Sequence, residues 1–223
     1  MKLLPLGAGK KSVQDWLAPV GDQAQSRWRF LTRLDGNELI ACDETGLLTR
    51  VQLRSTDVPH LAGASKLQLD QPVDVAPALR GEMLFVADGA GVVQHLNARS
   101  FDVEGRRSFA APVRGLWSVG ELLLVWTGDD KLQAVSSVKE LPERWSVSVE
   151  RRQPAGSPVE WSGSIWVACR DGLVLALDPA TGKETRRVEV PQVLSLGLRV
   201  IGEELFAVAC DSTISRIAAG GQP

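Results

Sequence analysis

Six aspartates recur along this chain at matching places: Asp43, Asp88, the pair Asp129 and Asp130, Asp171 and Asp211. Each stands in a short turn-forming stretch, DETG, DGAG, TGDD, RDG or DST. Carboxylates in such a pattern can do three kinds of work. They can accept backbone N–H bonds and hold a tight turn. They can sum to an acidic face that steers a basic partner. They can bind calcium, but only where several converge on one point. A repeat spreads its carboxylates apart. For any single aspartate the turn is therefore the expected role, and the acidic rim is the expected joint effect.

The remaining reactive side chains fit no catalytic set. The cysteines are Cys42, Cys169 and Cys210. An odd count without a CxxC spacing argues against a disulfide frame and a zinc site and predicts buried free thiols. The two histidines, His60 and His95, fall in a loop and in a strand, and neither stands in a nucleophile elbow. No carboxylate pair of glycosidase type is recognisable. The GKK at Gly9 lacks the spacing and the following Ser/Thr of a phosphate loop. No catalytic residue, metal ligand or cofactor is expected.

The 223 residues carry a net charge of −2, which gives no basic excess for nucleic acid. With 44% hydrophobic and 23% charged residues the balance is that of a globular protein large enough to bury a core. No apolar run reaches the roughly 18 residues of a membrane span. Leu3 to Leu6 is too short for a signal-peptide core, and Lys10 and Lys11 follow at once. With Met1 as the natural start, the expected location is cytoplasmic.

The elements that position the aspartates come from an internal repeat. GNELIACDETGLLTRV from Gly36, GEMLFVADGAGVVQHL from Gly81, GELLLVWTGDDKLQAV from Gly120, SGSIWVACRDGLVLAL from Ser162 and GEELFAVACDSTISRI from Gly202 align without a gap. They lie roughly 40 residues apart, the period of a propeller blade. Each copy opens on an apolar run such as Leu123–Trp126, of strand length, which predicts a strand buried on both faces. The aspartate turn follows, then a second strand with apolar anchors such as Leu132 and Val135. Outer strands are expected at SKLQL, RRSFAAPV, ERWSVSV and TRRVEV, and a short strand before each repeat, as in WRFLTRL and VRGLWSV.

This pattern predicts an all-β chain, one β-propeller domain over 1–223 with five four-stranded blades. The last repeat lacks an outer strand of its own. The N-terminal stretch SVQDWLAPV, 12–20, resembles RRSFAAPV and is expected to close the last blade. The rival is a fragment of a larger ring of six to eight blades.

The stretch DGLVLALDPATGKETRRV resembles the repeat of the PQQ-like propeller superfamily, D-G-x-V-x-A-L-D-x-x-T-G-K-x-x-W. Asp171, Gly172, Val174, Ala176, Leu177, Asp178, Thr181, Gly182 and Lys183 match it. The final tryptophan is replaced by Arg187 or Val188, whereas Trp16 and Trp145 stand near that place in other repeats. The resemblance is sharp in this one blade. It implies a structural repeat, shared by quinoprotein dehydrogenases and by outer-membrane assembly scaffolds of the BamB type. The adjacent cysteine pair of many quinoproteins is absent from the sequence, as is a lipidation-type cysteine near the N-terminus. Gly-His and Trp-Asp dipeptides of WD repeats are also missing.

Trp126 and Trp166 are expected in the core. Trp16 and Trp145 should lock outer strands, and Trp28, Trp117 and Trp161 should lie on innermost strands. The connection Val149 to Trp161 is the longest, with Arg151 and Arg152 at its start, and is a natural recognition element. The expected function is a non-enzymatic, monomeric scaffold for a protein with a basic surface. It would work through the six aspartates, Arg151, Arg152 and Trp161. A short cytoplasmic propeller of this kind resembles the propeller component of bacterial systems that pair one with a MoxR-type AAA+ ATPase and a von Willebrand A protein. The alternatives are a ligand-binding or enzymatic propeller with a pocket at the channel mouth, and a fragment that assembles with a second chain.

Overall fold

The computed structural model describes residues 27–54, 60–138 and 140–218. These residues form nineteen β-strands in five antiparallel sheets, with no helix among them. The first sheet runs β1 (Trp28–Arg33), β2 (Glu38–Asp43), β3 (Leu47–Arg54) and β4 (His60–Gln68). The second runs β5 (Ala78–Arg80), β6 (Met83–Ala87), β7 (Val92–Asn97) and β8 (Val103–Ser108). The third runs β9 (Val113–Val119), β10 (Leu122–Thr127), β11 (Lys131–Ser136) and β12 (Glu143–Ser148). The fourth runs β13 (Val159–Trp161), β14 (Ser164–Ala168), β15 (Leu173–Leu177) and β16 (Glu184–Glu189). The fifth has β17 (Leu194–Ile201), β18 (Glu204–Ala209) and β19 (Ile214–Ile217).

Each sheet is a simple meander, as the repeat predicts, and the register joins the repeat's anchors. Leu124 lies opposite Ala134 and Trp117, and Trp166 lies opposite Ala176 and Val159. The fifth sheet has three strands among the described residues. The expected closing segment 12–20 lies outside them. The chain divides into two compact units, Met1–Arg106 and Arg107–Pro223, and the boundary falls within β8.

In the first unit, one core joins the first two sheets through Ile40, Cys42 and Leu48 against Leu84, Val86 and Leu96. In the second unit, β14 is the clearest case of a strand buried on both faces. Ile165 and Val167 enter a core with Leu124, Trp126, Leu132 and Trp145. Trp166 and Ala168 point the other way, into a core with Leu198, Leu205 and Ala207. Trp126 and Trp166 are 1% and 3% exposed, as expected of core residues. The expectation of double burial fails at β18. Leu205, Ala207 and Ala209 are buried against the fourth sheet, whereas Phe206 and Val208 on the opposite face are only half-buried. An apolar run specifies a strand that can be covered twice, and within the second unit the fifth sheet packs on the fourth with one face only.

The Asp178–Gly182 turn that carries the superfamily-like motif has a packing role. The Asp178 Oδ1 accepts the backbone N–H of Ala180 (3.1 Å) and of Thr181 (2.8 Å) and the Thr181 hydroxyl (2.7 Å). These bonds hold the Asp178 carboxyl below the usual carboxylate range, with the Thr181 hydroxyl the largest cause. Trp145, from the outer strand of the preceding sheet, lies on this turn. Its indole Nε1 donates to the Pro179 carbonyl (2.9 Å), and its ring passes so close to Gly182 that a Cβ there would stand 2.5 Å away. Gly182 also has φ 69, so both space and backbone require glycine. Trp145 therefore joins the third sheet to the fourth, the outer-strand role predicted for it.

This joint gives a graded test. Trp145→Ala removes a buried ring and should destabilise the second unit by about 3–5 kcal/mol. Trp145→Phe keeps most of the ring, loses the donor to Pro179 and should cost about 1–2 kcal/mol. Denaturant unfolding followed by circular dichroism measures both. Equal stability of all three proteins would show that the contact carries no weight.

Candidate functional site

The turns after the second strands of the sheets place the aspartates at two distinct positions. The first position is occupied by Asp43, Asp88, Thr127, Cys169 and Ala209 in the five repeats. The second, two residues later, is occupied by Thr45, Ala90, Asp129, Asp171 and Asp211. Aspartates at the first position cap the turn from inside. Asp43 Oδ1 accepts the backbone N–H of Thr45 (2.9 Å) and Leu47 (2.9 Å) and the Thr45 hydroxyl (2.8 Å). Asp88 Oδ1 accepts the N–H of Ala90 (3.0 Å) and Val92 (2.9 Å).

Asp43 is 0% exposed, so it cannot belong to an acidic rim that meets a partner. Its sequence neighbourhood looks like that of an exposed turn, but three donors draw the carboxylate inward. Asp88 is half-buried in the same role.

Aspartates at the second position point outward and find cations or a nearby N–H. Asp129 pairs with Lys131 Nζ (2.7 Å) and accepts the hydroxyl of buried Thr127 (2.6 Å). Lys131 and then Thr127 hold its carboxyl below the ordinary range. Asp211 accepts the N–H of Thr213 (3.0 Å), which lowers its carboxyl likewise. Asp130 takes a left-handed backbone, φ 62, and its carbonyl accepts the N–H of Val149 (2.8 Å).

Asp171 is the aspartate that joins a charged cluster. Its Oδ1 accepts the N–H of Leu173 (3.3 Å), and its Oδ2 accepts Arg152 Nε (3.1 Å). Arg152 NH1 also meets Glu150 (2.5 Å). Glu150 raises the guanidinium of Arg152 above its ordinary value, and Arg152 lowers the carboxyl of Glu150 in return. Beside this cluster lies a cleft of about 520 Å³ lined by Arg152, Asp171, Leu173, Glu189 and Pro191. Gly172 forms part of its wall. A Cβ there would stand 2.1 Å from the Val190 carbonyl, at φ 93.

The connection after β12 is tied down along its length. Arg152 N–H donates to the Val149 carbonyl (3.0 Å), Arg170 N–H to Gln153 (2.9 Å), and Ala155 N–H to Ala168 (2.9 Å). Val149 and Ala155 are buried. Between them Glu150 and Arg151 adopt φ 50 and φ 62, a left-handed pair that only its surroundings can hold. Arg151 is exposed at the tip.

Arg152 and Asp171 thus come together, with Arg151 next to Arg152 in the chain, and Trp161 does not join them. Trp161 sits at the opposite end of β14, about 16 Å away along a five-residue strand. There its Nε1 donates to the Glu203 carbonyl (3.0 Å), and its ring meets Trp166 edge-on at 5.5 Å. It joins the fourth sheet to the fifth. The sequence did not mark Lys131 or Thr127 as partners of Asp129, although a threonine in the place of Asp43 was the available signal.

Two of the three thiols are silenced by burial. Desolvation pushes the thiols of Cys42 and Cys169 up to about 12. His95 is 3% exposed, and burial lowers its imidazole pKa against the opposing pull of Glu104 at 3.4 Å. Among the described residues no group of three or more His, Cys, Asp and Glu side chains could hold a metal ion. No helix of the described residues is long and apolar enough to cross a membrane.

No known protein family matches this sequence, and no curated protein is significantly similar to it. Solved structures match its fold. BamB from Moraxella catarrhalis aligns at TM-score 0.67 and 14% identity, over 84% of this chain and 56% of that one. The computationally designed Ika8 protein aligns at TM-score 0.70 and 12% identity, over 86% and 58%. The WD40 β-propeller domain of Doa1 aligns at TM-score 0.65 and 10% identity, over 86% and 65%. At such identities these likenesses show the fold, and the fold is an all-β propeller. The chain spans less than two thirds of the length of each of the three.

The burial of the thiols is directly measurable. At pH 8 a thiol-specific reagent should modify Cys210, the exposed cysteine, and spare Cys42 and Cys169. Denaturant should then release the other two. Rapid native labelling of all three would contradict the burial described.

Proposed function

We propose that this chain is a non-catalytic, cytoplasmic protein-binding propeller. Its contact surface is the end of the second unit that carries Glu150, Arg151, Arg152, Asp171 and Asp211. The observation that supports this reading is the left-handed pair Glu150 and Arg151, held in a tied loop. A loop already fixed in one conformation loses little entropy on binding, so a modest set of contacts can give useful affinity. Strained backbone retained at an exposed tip is also commoner at recognition sites than in plain connections. The exposed carboxylates of Asp171 and Asp211 would meet basic groups of the partner, and Arg151 an acidic one. Asp43 has no part in this surface. Read as a short cytoplasmic propeller, the chain also resembles the propeller component of a bacterial AAA+ ATPase and von Willebrand A system, the place we propose for it.

The test is affinity capture from a lysate of the source organism, read by mass spectrometry. The baits are the wild type, Arg151→Glu, Asp211→Lys and the control Lys183→Glu, at the other end of β15. A protein held by the wild type and the control, and lost by both other variants, is the expected result. Capture indifferent to both charge reversals would overturn the reading.

A further inference from the structure

A second cleft of the second unit, about 410 Å³ in volume, is separate from the surface just described. Its floor is apolar, made by Val119, Leu122, Ile165 and Pro179. The Pro179 side is fixed by the Trp145 indole, and Val119 and Ile165 belong to the core beneath. Three charged residues line it, Arg144, Glu160 and Glu121, and Glu121 is already engaged in an interaction of its own.

Neither Arg144 nor Glu160 is used up by the protein. Arg144 is anchored through Nε, which donates to Ser136 Oγ at 2.6 Å. Its terminal nitrogens make no hydrogen bond or ion pair among the described residues. The Glu160 carboxylate likewise has no described partner and lies over the turn at Gly120, where a Cβ would come within 2.7 Å of its Oε2. The two groups share a cleft without forming an ion pair. Other cleft-lining arginines differ. Arg99 is met by Glu82 at 2.7 Å and Asp35 at 2.8 Å, and Arg152 by Glu150 and Asp171. A cation and an anion held apart over an apolar floor form a complement to a molecule carrying both charges on an apolar body. Charge-assisted bonds to both charged groups would fix its orientation, and the floor would cover its carbon chain.

We propose that this cleft binds a small aliphatic amino acid, with its carboxylate on Arg144 and its ammonium on Glu160. The aliphatic body lies on Val119, Leu122, Ile165 and Pro179. The site is independent of the protein-binding surface, and either can fail without the other.

Calorimetric titration of the full chain tests it with two zwitterions, L-leucine and ε-aminocaproate. Caproate and butylamine, each lacking one charge, serve as controls. At least one zwitterion should bind saturably, with Kd at or below about 1 mM, and both controls about tenfold or more weaker. Arg144→Gln and Glu160→Gln should each weaken the zwitterion by about tenfold or more. Both side chains are exposed, so the melting temperature should not change, and Arg144→Lys should retain part of the affinity. Absence of saturable heat from either zwitterion would overturn the proposal. So would butylamine binding as tightly as ε-aminocaproate, which is the result expected of a seat for a partner's lysine side chain. Affinity unchanged in both glutamine variants would overturn it as well.

Discussion

The constraint on which the second unit depends is the burial of β14 on both faces. Ile165 and Val167 need one neighbouring sheet, and Trp166 and Ala168 need another. A strand in that position has no solvent side on which to carry polar groups, because a buried polar atom without a partner is costly. Charged side chains are therefore displaced from β14 to the turns at its ends and to the outer strands. The turns must first satisfy their own backbone, and aspartate does this with one short side chain. The recurrent carboxylates are in this sense a consequence of the apolar strands beside them.

The same constraint explains why the sheets of the second unit are locked at their ends by large side chains with one polar atom. The Trp145 indole reaches the Pro179 carbonyl, the Trp161 indole reaches Glu203, and the Trp166 indole reaches Trp161 (3.1 Å). Each ring buries apolar surface between sheets and spends its single donor on a carbonyl that a turn leaves free. Arg186 lies over the Trp166 ring, 6.0 Å from its centre, and adds a cation to the stack. With its sheets held in this way, the unit offers the loop after β12 a fixed base. The left-handed Glu150 and Arg151 can then persist.

The repeat was legible because it is local. The glycine-led turn, the apolar run and the aspartate turn lie within sixteen residues. The expected stretches from Trp28, Val113 and Glu143 match β1, β9 and β12 to within a residue at either end. What lay hidden depends on atoms distant in sequence. DETG and RDG read alike, yet Asp43 is sealed inside and Asp171 faces an arginine. Trp161 looked like an exposed anchor until Glu203 took its donor. Phe206 and Val208 read as core because a run of apolar residues does not state how many neighbours it will have. Arg144 and Glu160 carried no signal, since a cleft between two sheets has no local pattern.

The two aspartate positions together explain why the outward turn carboxylates gather in the second unit. In the first two repeats the inward position holds Asp43 and Asp88, and the outward position holds Thr45 and Ala90, so the carboxylate is consumed by the turn. In the last three the inward position becomes Thr127, Cys169 and Ala209, progressively poorer as a cap. The carboxylate reappears two residues later as Asp129, Asp171 and Asp211. At Cys169 the exchange is complete. A buried thiol fills the inward place, and the displaced carboxylate of Asp171 is free to meet Arg152. One charge per turn has moved from the interior to the surface. The move costs each turn its inward carboxylate cap, and it supplies the second unit with outward carboxylates that the first two repeats lack at that position.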